Sequence, residues 1–202
     1  MPGKKLCVGL TGRMASGKGE AVRLLQGRGF AYISLSDIVR REAARDGGKT
    51  APSARGGTIS RKRMQDIGNR LRAEGGAGVQ GRMVREQVTA ATEARWVIDG
   101  IRNPAEVLEL RQMAGFYLVG IDSDLPTILA RMKKRARATD AVSKAELRAA
   151  LEREWGDGEP AGGQQVGPTM AMADFTVANN GTLAELEARL DEVLEKIGAG
   201  HE

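Results

Sequence analysis

The sequence carries one cysteine and one histidine in 202 residues. A lone Cys7 excludes an internal disulfide, and its place inside an apolar run makes it buried filler. A lone His201, next to the last residue, excludes a histidine metal cluster and leaves little room for histidine acid–base chemistry. Aromatic residues make up 3% of the chain, too few to stack a run of bases, so a single-strand nucleic-acid binder is disfavoured. No apolar run approaches the roughly 20 residues that a membrane helix needs. The N-terminus has no signal-peptide core. The expectation is a cytoplasmic location, no membrane contact and no nucleic-acid partner.

What is present is the composition of a globular chain, 41% hydrophobic and 28% charged, long enough for one domain over 1–202. The formal charge is +5. A basic balance suits nucleic acid, but equally a pocket that holds several phosphates.

Five apolar runs, near 4–10, 30–35, 95–99, 116–121 and 174–178, read as buried strands separated by helical patterns. Strands alternating with helices predict an α/β fold with a five-stranded parallel sheet covered on both faces. Asn103-Pro104-Ala105-Glu106, Ser143-Lys144-Ala145-Glu146 and Thr182-Leu183-Ala184-Glu185 are helix starts with a capping-box pattern. Ser60 can cap a helix that puts Met64, Ile67 and Leu71 on one face. The last helix carries an apolar stripe of Leu183, Leu186, Leu190, Val193, Leu194 and Ile197. Residues 46–59 and 156–169, rich in Gly and polar residues, read as loops, the first of them mobile.

Between the first strand and the first helix lies Gly12-Arg13-Met14-Ala15-Ser16-Gly17-Lys18, a G-x-x-x-x-G-K pattern. Glycines there let the backbone wrap a polyphosphate with its N–H groups inward, at a helix mouth that favours anions. The nucleotide-binding set is Gly12, Ala15, Ser16, Gly17, Lys18, Gly19 and Glu20, with Lys18 reaching the outer phosphates. Gly19 stands where a Ser or Thr usually ligates magnesium.

Other residues suggest a second half to the site. Asp99 ends the third strand, where a doubly wound sheet binds its ligands, and could hold a magnesium-bound water. Arg102, three residues on, could fork onto a phosphate. Asp37 and Arg40, one turn apart after the second strand, could flank an acceptor: Asp37 orients a hydroxyl or takes its proton, and Arg40 holds a phosphate. Arg131, Lys134 and Arg135 share a helix face and Arg137 follows; so dense a cluster suits a transferring phosphoryl group. Arg70 and Arg72 are weaker candidates. For each, a helix cap or a solvated charge is the plain alternative.

Together these pieces resemble the nucleoside-monophosphate-kinase-like branch of P-loop kinases. Gly17-Lys18-Gly19 looks like the adenylate-kinase loop, with Glu20 where a Thr usually follows. Ser36-Asp37-Ile38-Val39-Arg40 is similar to the segment that opens the acceptor site. Asp99-Gly100-Ile101-Arg102 looks like the Asp-Gly-Phe-Pro-Arg segment, shortened by one. Over nearly the whole chain the sequence resembles a little-characterised adenylate-kinase-related or dephospho-CoA-kinase-related group. That likeness lies in Ser-Gly-Lys-Gly-Glu at 16–20, Gly68-Asn69-Arg70-Leu71-Arg72, Asp-Gly-Ile-Arg at 99–102, and Ala173-Asp174-Phe175 with Val177 and Asn179.

The resemblance implies a P-loop NTPase fold of three α/β/α layers. It implies ATP and Mg2+ as cofactors, a helical acceptor-binding insert at about 37–93 and a lid-like segment at about 131–160. The activity it implies is phosphorylation of a small phosphorylated acceptor, a nucleoside or deoxynucleoside monophosphate, by a monomer or homodimer. Substrate-binding falls to Asp37, Arg40, Arg70 and Arg102. Catalysis falls to Lys18, Asp37, Arg102, Arg131, Arg135 and Arg137, and metal placement to Asp99. Dephospho-CoA kinase is one alternative; a nucleotide-binding regulator or RNA-associated ATPase is another. True dephospho-CoA kinases carry Asp-x-Asp after the second strand, and Leu35 takes the first of those positions here.

Overall fold

The computed structural model describes residues 5–45, 61–135, 144–156, 158–160 and 162–198. The loop expected over 46–59, the cap residues Ser60 and Ser143, and Arg137 lie outside the described residues, as does the side chain of Arg135.

Five strands, β1 (Leu6–Thr11), β2 (Ala31–Ser34), β3 (Arg95–Asp99), β4 (Phe116–Asp122) and β5 (Phe175–Ala178), form one sheet in the order β2-β3-β1-β4-β5. Every pairing is parallel. Each of the five expected runs became a strand, with ends shifted by a residue or two. The outer strands β2 and β5 have four residues each, and β1 lies in the centre.

Side chains alternate across a strand, so each strand feeds two cores. Val8 and Leu10 of β1 pack with Val119, Ile121 and Val177 beneath α1 (Lys18–Gly27) and α9 (Leu183–Lys196). Cys7 points the other way. It packs with Trp96, Ile98 and Leu118 against α2 (Leu35–Arg45), α4 (Val79–Ala90) and α5 (Pro104–Leu110). The result is helix, sheet, helix: the three-layer α/β/α arrangement.

The capping boxes at Asn103 and Thr182 both form, each with its reciprocal Glu bond. Along α9, Leu186, Leu190, Val193 and Leu194 are buried and Ile197 packs against them. Leu183 departs from the expected stripe: it is 54% exposed, in the opening stretch of α9, 183–185, whose residues are all exposed. On α3 (Arg61–Gly75), Ile67 is buried with Met64 and Leu71 beside it, as the spacing predicts.

α6 (Leu125–Arg135) and α7 (Lys144–Trp155) follow β4. Asp124 caps α6 by accepting the Thr127 amide at 2.8 Å; the Thr127 hydroxyl first, and then this amide, hold its carboxyl below the ordinary range. The region 156–169 is not wholly loop: its end forms the short helix α8 (Val166–Met170). Val166 at the start of α8 is fully buried, as is Thr169 one turn on. No helix among the described residues is long and apolar enough to cross a membrane.

Candidate functional site

All five strands are parallel, so their carboxyl ends gather at one edge of the sheet, and there the loop between β1 and α1 turns. Gly12 has φ 138° and Gly17 has φ 110°, left-handed values that suit glycine. A Cβ on Gly12 would lie 2.1 Å from the Ile121 carbonyl oxygen, and one on Gly17 would lie 2.0 Å from Nδ2 of Asn179. Ala15 also has positive φ, at 61°.

The carbonyl of Ser16 is held from behind. Asn179 Nδ2 donates to it at 2.8 Å, Ser123 Oγ at 3.1 Å and Arg131 Nη1 at 3.3 Å. The loop leads straight into the N-terminus of α1, where the helix dipole favours an anion; the Glu20 and Ala21 amides there donate to the Gly17 carbonyl at 3.0 and 3.1 Å. The loop thus has the shape of a backbone nest, a form that suits an anion. Thr11 Oγ1 donates to the Ile101 carbonyl at 2.9 Å and ties the end of β1 to the turn after β3.

A cleft of about 860 Å³ opens beside this nest. Ala15, Gly17, Lys18 and Gly19 line it, and so do Arg40, Arg72, Asp99 and Arg102. Lys18, Arg40 and the neighbouring pair Asp99 and Arg102 come from three separate stretches of the chain, and the fold brings them to one cavity.

Other expected residues sit elsewhere. Gly12 and Ser16 are buried in the loop rather than lining the cleft. Glu20 turns outward to Arg23, at 2.9 Å. Asp37 does not line the cleft; it pairs with Arg40 on the same helix face. Arg70 does not line it either; it lies 3.9 Å from Glu74 on the exposed side of α3. Arg131 is behind the nest, not across the cleft from it. Its guanidinium reaches Ser123 Oγ at 3.0 Å and the carbonyls of Ala15 and Ser16. Helix α6 starts directly after β4, beside the loop, and that places Arg131 against the loop's carbonyl side.

Arg72 is the residue that belongs where Arg70 was expected. Two residues apart on a helix means nearly opposite faces. Met64, Gly68 and Arg72 recur every fourth residue and all line the cleft, so the signal was the stripe itself. Arg72 Nη2 donates to Glu106 Oε1 at 3.1 Å, with side-chain exposures of 8% and 0%. Glu106 also accepts the amides of Arg102 at 2.8 Å and Asn103 at 3.1 Å. Burial pushes the Glu106 carboxyl up, against the pull of Arg72 and of the Arg102 amide. One buried carboxylate thus fixes both the Arg72 side chain and the backbone of Arg102.

Three buried polar atoms that line or border the cleft make no hydrogen bond: Asp99 Oδ1, Arg72 Nε and Arg102 Nε. Buried polar atoms are normally paired, so these orphans point to a polar ligand. Among the described residues no three His, Cys, Asp or Glu side chains gather as a metal cage. Magnesium at a phosphate site asks for less: one or two carboxylates, with phosphate oxygens and waters for the rest. The orphaned Asp99 oxygen fits that demand.

No family model matches the sequence. The fold is similar to a shikimate kinase from Bacteroides thetaiotaomicron, with a TM-score of 0.56 and 16% identity over 94% of this chain and 98% of that one. It is also similar to a dephospho-CoA kinase from Campylobacter jejuni, with a TM-score of 0.50 and 14% identity over 96% and 98%. The fold is therefore that of P-loop kinases. In sequence, the chain is 33% identical over 196 residues to a UPF0200 protein of Methanoculleus marisnigri, covering 96% of this chain and 98% of that one. A match of that identity along almost all of both chains is one of descent: this chain belongs to the UPF0200 family.

Proposed function

We propose that the chain is an ATP-dependent phosphotransferase whose acceptor is a small phosphorylated molecule, a nucleoside or deoxynucleoside monophosphate. The observation that carries this reading is the single cleft that Lys18, Asp99, Arg40, Arg72 and Arg102 all line. A cavity of about 860 Å³ is at the upper end of small-ligand sites and has room for a donor and an acceptor side by side.

In this reading the nest at 12–19 receives the triphosphate, and Lys18 neutralises its outer oxygens. Arg40, Arg72 and Arg102 hold the acceptor's own phosphate, their guanidinium forks matching its oxygens. An acceptor phosphate oxygen attacks the terminal phosphorus, the bond from that phosphorus to the bridging oxygen breaks, and ADP leaves with the bond's electrons. Asp99 would hold a magnesium ion through a bound water, and that ion would offset charge on the phosphate oxygens. Asp37 acts through Arg40 by fixing its guanidinium. Arg131 supports the loop from behind, and roles for Arg135 and Arg137 on the transferring group rest on the sequence alone. Almost all the catalysis in such a site is positioning and electrostatics.

The test is ADP formation with ATP, magnesium and a panel of nucleoside monophosphates, deoxynucleoside monophosphates and dephospho-CoA. ADP that accumulates with one acceptor class, matched by phosphorylated acceptor, supports the reading. Lys18→Ala should then lower turnover by about a hundredfold or more with the fold intact. ADP stimulated by RNA, with no acceptor phosphorylated, would overturn it in favour of a nucleic-acid-associated ATPase.

A further inference from the structure

Glu154, in the last turn of α7, is 4% exposed and lines the cleft. Its Oε2 accepts the backbone N–H of Met14 at 2.6 Å. Met14 belongs to the nest, where an inward N–H normally meets a phosphate oxygen. A carboxylate offers the same sign of charge and the same kind of acceptor. Among the described residues, Met14 is the one hydrogen-bond partner of Glu154. The adjacent Arg153 is engaged with Glu159, at 2.6 Å.

On the reading of the loop as a triphosphate site, Met14 stands toward the outer phosphates, the end that Lys18 serves. The Lys18 ammonium donates to the carbonyls of Gly12 at 2.5 Å and Arg13 at 2.9 Å, the two residues before Met14. The rest of α7 grips the same loop. The Arg13 guanidinium sits 4.1 Å from the centre of the Trp155 ring, and Leu151 packs in a small cluster with Ala15.

We propose that Glu154 is an internal stand-in for the nucleotide's terminal phosphate. It holds the Met14 amide whenever no phosphate does. A triphosphate expels it and displaces the end of α7 with it. This rests on the reading of the loop as a triphosphate site. Two anions cannot share one amide, so part of the triphosphate's binding energy goes into moving Glu154. A diphosphate that stops short of Met14 leaves Glu154 in place. The carboxylate thus lowers affinity for ATP more than for ADP.

Calorimetric titration of wild type and Glu154→Gln with ATP and ADP tests this. Glutamine keeps the shape and an acceptor oxygen but loses the charge. The variant should bind ATP about tenfold more tightly, with ADP unchanged within about twofold. A second measurement needs no variant. Trp155 emission in the wild type should change on saturation with ATP and not with ADP; the other tryptophan, Trp96, is buried near the amino end of β3 and bonded to the Glu93 carbonyl. Equal ATP affinity in both proteins, or unchanged Trp155 emission at saturation, overturns the proposal with the nucleotide site intact. Absence of ATP binding in both proteins overturns the site reading itself and the proposal with it. If Glu154→Gln fails to fold, the emission measurement decides alone.

Discussion

Arg72 and Glu106, 34 residues apart, meet at 3.1 Å with both side chains almost entirely out of solvent. Breaking such a pair leaves a buried charge uncompensated, at a cost of about 3–5 kcal/mol. The two partners are not equivalent. Glu106 also accepts the amides of Arg102 and Asn103, so losing it orphans three donors, whereas losing Arg72 leaves Glu106 two. Glu106→Leu should therefore destabilise more than Arg72→Met. Urea denaturation of the two variants checks the order.

The two left-handed glycines of the nest differ in what surrounds them. At Gly12 the obstacle is the backbone carbonyl of Ile121, whose residue is in register with Val177 in the sheet and cannot move. At Gly17 it is the side-chain amide of Asn179, which can swing aside if it gives up the Ser16 carbonyl. Gly12→Ala should cost more than the roughly 1–3 kcal/mol expected for a strained backbone position alone. Gly17→Ala should fall inside that range, and pairing it with Asn179→Ala should recover part of the loss. Midpoints of chemical denaturation distinguish these outcomes.

Burial pushes the Cys7 thiol up to about 11, against a smaller opposing effect of Lys5. The native chain should thus resist thiol reagents at pH 8 and react once unfolded. The sign for stability follows. The folded state favours the protonated thiol, so this contribution is complete below pH 9 and is lost as pH rises from the thiol's ordinary value of 9.0 toward 11. Thiol labelling in native and denaturing buffer, and denaturation at pH 8 and 10.5, check both statements.

The fold was readable because its determinants are local. Runs such as Trp96-Val97-Ile98 carry their strand character in four or five residues, and the boxes at Asn103 and Thr182 mark their helices within one turn. Lys18, Arg40, Asp99 and Arg102 were readable for a related reason: each stands at the end of a strand or in the first turns after one. What escaped depends on contacts between distant stretches. Nothing near Arg72 marks Glu106 as its partner, and nothing near Glu154 marks Met14, 140 residues away. The place of Arg131 behind the loop was not legible either, because shared helix spacing gives a face but not the neighbour that face meets.

The strands at the two margins of the sheet, Ala31–Ser34 and Phe175–Ala178, each span only four residues. Each offers few unpaired amides and carbonyls to another molecule, which is how natural sheets avoid templating their own aggregation. A protein built this way can crowd to high concentration with little risk that one copy will recruit the next through its backbone.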